Sequence, residues 1–286
     1  MADKISNIGL YYQKKYFNSI GFDSSDDFKN DPVTVAMVAS RNQALLKKHQ
    51  LHNNWFIDQP GSNSFELKSV YPGVITGIGM KHETGIKGEL KLGLYFDYSS
   101  GMPCIPASSV KGALRSSFPQ WNKHNKTPDE IKESKTCFIK SILENKPFEE
   151  IAFTAATRKE ITAIEEEIFE GKKNGFDNKN EKNSMNKFLP VYDKDIFHDA
   201  FILNSDSKGR ILADDAITNH PSPLENPNPV LFLKIISGVT IKFNFDLKPG
   251  ILLVDQKLGL FKTIIATLGI GAKTNVGYGQ FETATQ

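Results

Sequence analysis

The sequence predicts an α+β fold, an antiparallel sheet carrying helices on one face. The first observation is Val239–Leu247. Val239, Ile241, Phe243, Phe245 and Leu247 fall on one side and Thr240, Lys242, Asn244 and Asp246 on the other. That is the pattern of a strand with one buried and one wet face. The second is the stretch that follows, where Leu258, Phe261, Ile265 and Leu268 recur at helical spacing and Gly269 stands ready as a C-terminal cap. The third is the order of the remaining elements: strand, helix, strands, helix, strand. This is the order of a split βαβ, ferredoxin-like (RRM-like) unit.

Ile8–Phe17 and Val33–His49 have helical periodicity, and Asp31-Pro32 marks the start of the second. Phe65–Met80, rich in β-branched residues and glycine, reads as a strand bending around Pro72-Gly73. A glycine-punctuated loop follows, then a helix from Ser108. Trp121 to Lys187 is helical but polar, and "GKKNGFDNKNEKNSMNK" within it has the composition of a disordered loop. Val191–Leu203 is a strand, and Pro221–Pro229 an extended connector. "VLFLKII", a Ser237-Gly238 turn and Val239–Leu247 together predict a hairpin. The helix 256–268 leads to a closing strand over Val276–Phe281. Residues 1–64 thus form a helical N-terminal extension, and 65–286 a single domain interrupted by an insertion near 120–190.

Composition limits the function classes. The 286 residues are 39% hydrophobic and 10% aromatic, enough for a real core. No long apolar run predicts a membrane span, and "MADKISNIGLYYQKK" lacks the apolar stretch of a secretory signal. Cys104 and Cys137 are too few for a disulfide framework and suit a reducing cytoplasm. The net charge is +2, so affinity for nucleic acid has to come from local placement. Lys68–Arg115 holds six bases against three acids, and Lys257–Lys273 three lysines and no acid, whereas Glu144–Glu170 holds eight acids against three bases.

Two stretches carry chemistry. "TLGIGAKTNVGYGQF" (267–281) looks at first like a nucleotide-binding loop, but Ala272 stands where a P-loop needs glycine before Lys273. The loop also follows a helix, whereas a P-loop leads into one. Thr274 replaces the third glycine of a dinucleotide fingerprint. Glycines Gly269, Gly271, Gly277 and Gly279 instead let backbone amides approach a phosphodiester, with Lys273 adding charge. In "IPASSVKGALR" (105–115), Ser108 or Ser109 can cap a helix, and Lys111 and Arg115, four apart, share a face. The two helices of a split βαβ unit lie side by side, so both stretches can meet in one seat for a polyanion read through its backbone.

These stretches carry a family resemblance. "GMPCIPASSVKGALR" and "GIGAKTNVGYGQF" resemble the paired signatures of the RAMP proteins of CRISPR systems, ferredoxin-like RNA binders with a C-terminal glycine-rich loop. "YPGVITGIGMKHETG", "KLGLYFDY", "FHDAFI", "DDAITNHPSP" and "PNPVLFLKIISGVTIKF" fall in the order seen in the sixth-subunit family of type III-B (Cmr) effector complexes. The resemblance runs from Tyr71 to Phe281, and "NIGLYYQKKYF" fits it as well. It departs at Ala107, where the family carries glycine.

The resemblance implies a non-catalytic RNA-binding subunit that caps a filament of related subunits at the 3′ side of a guide RNA. It implies as partners the guide RNA, neighbouring RAMP backbone subunits and a small helical subunit, with target RNA met indirectly and no membrane. Carried over by matching motif, the RNA-contacting residues are Lys81, His82, Ser109, Lys111, Arg115, Gly269, Gly271, Lys273, Thr274, Asn275, Gly277, Tyr278 and Gly279.

The alternative is a stand-alone RAMP endoribonuclease, since relatives that process guide precursors share the fold and loop. Metal-free RNA cleavage needs proton-transfer groups, most often His. Of His49, His52, His82, His124, His198 and His220, no pair is tied by sequence to one pocket. His198-Asp199 and Asp214-Asp215 are adjacent pairs that point to opposite faces of a strand, so they make poor metal sites. No cofactor is expected. Tyr278 could stack on a base, while Phe281 reads as core.

Overall fold

The main sheet is built around β7 (Thr240–Asp246) as its central strand. The computed structural model describes residues 5, 7–22, 27–48, 60–76, 84–90, 94–121, 126–173, 187–219 and 228–283. β1 (Asn63–Ser69) lies antiparallel to β7, with Phe65 opposite Phe243 and Leu67 opposite Ile241. Those side chains, with Phe245, turn to the same face and are buried. The Phe65 ring stacks on Phe243 and Phe245 at 5.2 and 5.6 Å between centroids. The opposite face, with Glu66 exposed and Lys68 paired to an exposed Glu282, is wet. One buried face is what the alternation predicts, with one correction: Asn244, on the polar side, is 1% exposed and donates its side-chain amide to Asp199 O and Lys242 O.

The sheet continues through β2 (Cys104–Ile105) and β4 (Ala200–Ile202) on one side and β8 (Phe281–Thr283) on the other. Its order is β2-β4-β7-β1-β8, and β3 (Ile196–Phe197) also pairs with β7. Every pairing is antiparallel. Helices α3 (Ala107–Ser116) and α6 (Val254–Leu268) pack on each other over the buried face. Phe261 of α6 touches both Phe245 and Phe197. Burying such aromatics supplies much of the driving force for docking helix on sheet. The inserted helices α4 (Asp129–Glu144) and α5 (Ala155–Glu165) pack together, and α4 reaches α6.

At the N-terminus, α1 (Ile8–Gln13) is capped by Asn7, whose side chain takes the Leu10 amide at 2.7 Å. α2 (Pro32–Lys48) starts as Asp31-Pro32 predicts, with the Thr34 amide on the Asp31 carboxylate at 2.8 Å. Ile8, Tyr12 and Leu45 belong to the main core, so these helices are built into the body of the protein. No helix of the described residues is long and apolar enough to cross a membrane.

Four sequence expectations need correction. β6 (Asn228–Ile235) does not pair with β7; it forms a separate two-stranded sheet with β5 (Leu212–Asn219). The Ser237-Gly238 turn instead carries the chain between sheets, where the Gly238 amide bonds Ser69 O. Val191–Leu203 is not one strand. It is a 3-10 turn over Val191–Asp193, then β3 and β4, broken where Asp199 turns its carboxylate to the start of α3. The first strand ends at Ser69, and among the described residues beyond it, to 76, Val74 alone makes a bridge, to Ile235. The closing strand begins at Phe281, because Thr274–Val276 is a 3-10 turn. The disordered-loop composition at 174–186 and most of the 221–229 connector lie outside the described residues.

Candidate nucleic-acid interface

The glycine-rich loop leaves α6 at Gly269, whose amide still bonds Ile265 O and whose φ of +74° ends the helix as predicted. The loop then lies along Gly73–Ile75 and doubles back on itself. The Ala272 amide bonds Ile75 O at 2.8 Å, the Gly279 amide bonds Gly73 O at 2.8 Å, and the Ile270 amide bonds Gly279 O at 2.9 Å. This packing explains two glycines. A Cβ on Gly271 would stand 2.3 Å from Ile75 O, and one on Gly279 2.0 Å from Ile270 O. Glycine is therefore required at both positions by the close approach of the chain's own backbone. Gly277 rests against Pro72, where a Cβ would meet Pro72 Cδ at 3.6 Å.

The outer part of the loop is different. The amides of Gly271, Lys273, Thr274 and Asn275 have no hydrogen-bond partner among the described residues. Lys273 adopts φ +60° and is exposed, with no ion pair among the described residues. Open consecutive amides beside a free cation form an anion-accepting surface.

Tyr278 faces inward. It is only 6% exposed, its ring packs edge-on against Phe232 at 5.7 Å, and its hydroxyl donates to Asp215 Oδ2 at 2.8 Å. The expectation that it stacks on a base is corrected: the ring is core. Burial and the Asp215 carboxylate both push its hydroxyl pKa up. Lys234 Nζ reaches the same Asp215 oxygen at 2.6 Å. Burial alone would raise the Asp215 pKa, but the bonds from Lys234 and Tyr278 outweigh it and hold the carboxyl below its usual range. Asp215 thus fastens the glycine loop to the β5–β6 hairpin, a role that a paired-aspartate motif in the sequence does not announce.

The α3 residues lie further along the molecule. Pro106, not Ser108 or Ser109, occupies the N-cap, and the Ala107 amide is taken by Asp199 Oδ1 at 2.7 Å. The helix start is therefore already occupied by a carboxylate. Ser109 is half-buried in the first turn. Lys111 Nζ sits 5.3 Å from the Phe197 ring centroid, level with Phe261 in the middle of α6. Burial lowers its pKa, reinforced by Arg115 and Lys194 and opposed by Asp195. Arg115 is ion-paired to Glu170, which also holds Lys172 at 2.9 Å.

Lys257, counted with the basic window, is 2% exposed and locked to Asp195 at 2.7 Å, with Glu167 at 3.6 Å. It is a core residue. Since Glu167 also accepts the Ile251 amide, Arg115 and its acidic neighbours belong to the N-terminal end of α6. At 1.5 Å per residue, Lys111 lies about 12 Å and Lys257 about 18 Å along α6 from Gly269. The two signature stretches do not close into one seat; they mark two points on the helix pair.

Lys81 and His82 lie outside the described residues, as do His49, His52, His124 and His220. The described histidine, His198, bonds Asp246 at 2.8 Å, and Asp246 also takes the Ser62 amide and hydroxyl. This cluster sits where β1 begins, whereas the glycine loop rests beyond its far end, and seven strand residues put about 20 Å between them.

An antiparallel sheet with two helices on one face and a glycine-rich loop after the last helix defines an α+β protein. The profile of the RAMP superfamily matches residues 66–282, and the chain belongs to that superfamily. No curated protein matches the sequence. Among solved structures, a chain in the cryo-EM structure of the type III-B Cmr-beta bound to cognate target RNA shares 21% identity at a TM-score of 0.51. That alignment covers 98% of this chain and 86% of the other. The crystal structure of Cmr6 from Pyrococcus furiosus shares 21% identity at a TM-score of 0.41, over 78% of this chain and 97% of that one.

Proposed function

We propose that the protein is a non-catalytic, cytoplasmic RNA-binding subunit of a type III-B CRISPR effector ribonucleoprotein. In this reading it holds the guide-RNA backbone toward its 3′ end and caps the filament of RAMP subunits. Its neighbours are RAMP backbone subunits and a small helical subunit, and it meets target RNA indirectly. The core is read as ferredoxin-like because β8, β1, β7 and β4 lie in the order 4-1-3-2 of a split βαβ unit. Superfamily membership supports RNA as the ligand. The fold shared with a chain of a complex bound to target RNA agrees with it.

The observation that carries the reading is the outer glycine loop, where the amides of Gly271, Lys273, Thr274 and Asn275 have no partner among the described residues and the Lys273 side chain is exposed. Backbone donors and a cation suit phosphate, and phosphate contacts position RNA without reading its sequence. Lys111, about 12 Å away along α6, falls within reach of the same strand as a second contact.

The test uses the full chain with unrelated single-stranded RNAs over a salt series. Lys273→Ala is expected to weaken all of them alike and to lower the salt slope by about one unit or less. A sequence-dependent loss, or none, would contradict backbone readout. Specific cleavage of repeat RNA that disappears in His82→Ala or His220→Ala would replace this reading with the endoribonuclease.

A further inference from the structure

Tyr71 is 84% exposed, yet the turn it sits in is hydrogen-bonded to the rest of the protein on both sides. The Val70 amide bonds Gln280 O at 3.1 Å, and the Gly73 amide bonds Val70 O at 2.8 Å. Gly73 O in turn accepts the Gly279 amide at 2.8 Å, and Pro72 lies against Gly277. The turn is thus stapled on both sides to the glycine loop. A large ring held out of the core gains nothing from burial. Its position is fixed while its surface stays open.

The ring also has a cation. Lys234 Nζ lies 5.9 Å from the Tyr71 centroid and is itself only 11% exposed at its side chain. Asp215 holds it there through the 2.6 Å bond that also anchors the hairpin to Tyr278. An ammonium at this range is attracted to the ring's π-face and restrains its orientation. Tyr71 thus stands next to Pro72, which lies against Gly277, two residues beyond the open amides of 273–275: an exposed aromatic on the turn that the donor-bearing loop packs against.

We propose that Tyr71 is a stacking platform for one unpaired nucleobase of the RNA whose backbone the glycine loop holds. The proposal rests on the RNA reading above and extends it from phosphate to base. Because every base has a π-face, such a platform adds affinity without choosing sequence. It also takes the role that Tyr278, turned into the core, cannot fill.

The experiment pairs a single-stranded uridine oligomer with an abasic ribose–phosphate oligomer of the same length, titrated against the full chain by fluorescence anisotropy. Tyr71→Ala is expected to weaken the base-bearing oligomer by roughly five- to a hundredfold. It should leave the abasic oligomer unchanged, and Tyr71→Phe should bind both as the parent does. With 2-aminopurine in the oligomer, binding to the parent should quench emission and binding to Tyr71→Ala should not. If Tyr71→Ala binds the uridine oligomer as well as the parent, or loses both oligomers equally, the platform is overturned while RNA binding stands. If the parent itself binds neither oligomer better than Lys273→Ala does, the RNA reading fails and the platform with it.

Discussion

Lys257 Nζ lies 2.7 Å from Asp195 Oδ2, and both side chains are 2% exposed. The ammonium also donates to Lys248 O at 2.8 Å, and Asp195 Oδ1 takes the Lys248 amide at 2.8 Å. The pair ties the start of α6 to the segment entering β3, and so fixes the helix that carries the glycine loop at its other end. Breaking one partner of such a buried pair strands a charge, so Asp195→Ala is expected to lower stability by about 3–5 kcal/mol. Replacing both, as Lys257→Met with Asp195→Leu, should recover much of that loss. Chemical denaturation of the single and double variants checks this; a single-variant loss under about 1 kcal/mol would make the pair incidental.

Two glycines of the chain should respond in opposite directions to alanine. Gly279 has φ +68°, and its Cβ would strike Ile270 O at 2.0 Å. Gly279→Ala is therefore expected to destabilise by more than about 1 kcal/mol, since both strain and overlap must be relieved. Gly259 lies exposed in α6 with nothing within 4 Å of its Cβ position. Gly259→Ala is expected to add about 0.5–1 kcal/mol by lowering unfolded-state freedom in a helix. Thermal melts that ranked the two alike would show that the loop yields freely.

These cases show what the sequence made legible. Period-2 alternation found β7 and period-3.6 spacing found α6, because each reports a neighbour on one side only. The buried helical face is offset, with Lys257, Leu260, Phe261, Ile264 and Ile265 inside and Leu268 46% exposed. Lys257 looked like a surface cation because its partner is 62 positions away. The Ser237-Gly238 turn looked like a hairpin because turn chemistry shows that the chain reverses, not which strand it meets. β6 instead joins β5, whose Ala213, Asp215 and Ile217 give a weak apolar signal. The glycines were legible as necessary, but sequence could not show that Ile75 O and Ile270 O fill the space beside them. Tyr71 carried no signal of its own; exposure and the Lys234 contact appear only in the folded chain.

Acid should weaken the far end of the sheet. The His198 bond, joined by the Ser62 amide and hydroxyl, depresses the Asp246 pKa from its ordinary value of 3.8 to about 2. A depressed carboxylate contributes stability that is present above the unfolded pKa and lost as pH falls through the folded one. The stability advantage of the parent over Asp246→Asn should therefore hold above about pH 4 and shrink from there toward pH 2. Denaturation midpoints at several acidic pH values check it. An advantage that stayed constant down to pH 2 would detach the effect from this carboxyl.

Arg115 poses a separate question, whether an arginine already held by a carboxylate can still serve RNA. Glu170 binds both Arg115 and Lys172, and Lys172 is also held by Glu166 at 2.7 Å. Burial would raise the Glu170 pKa, but Lys172 and Arg115 outweigh it and keep the carboxyl ionised and low. Glu170→Gln keeps an oxygen for Arg115 to bond and removes the opposing charge, so the fold should persist. If Arg115 and Lys111 lie on the RNA track, this variant should bind single-stranded RNA severalfold more tightly at low salt. Its salt slope should steepen by about one unit or less. Arg115→Ala should do the reverse, though part of its loss would come from leaving Glu170 short of a partner. Anisotropy titrations over a salt series, run beside melts of each variant, separate the two. Unchanged affinity and slope in a folded Glu170→Gln protein would make Arg115 a structural cation and end the track at Lys111.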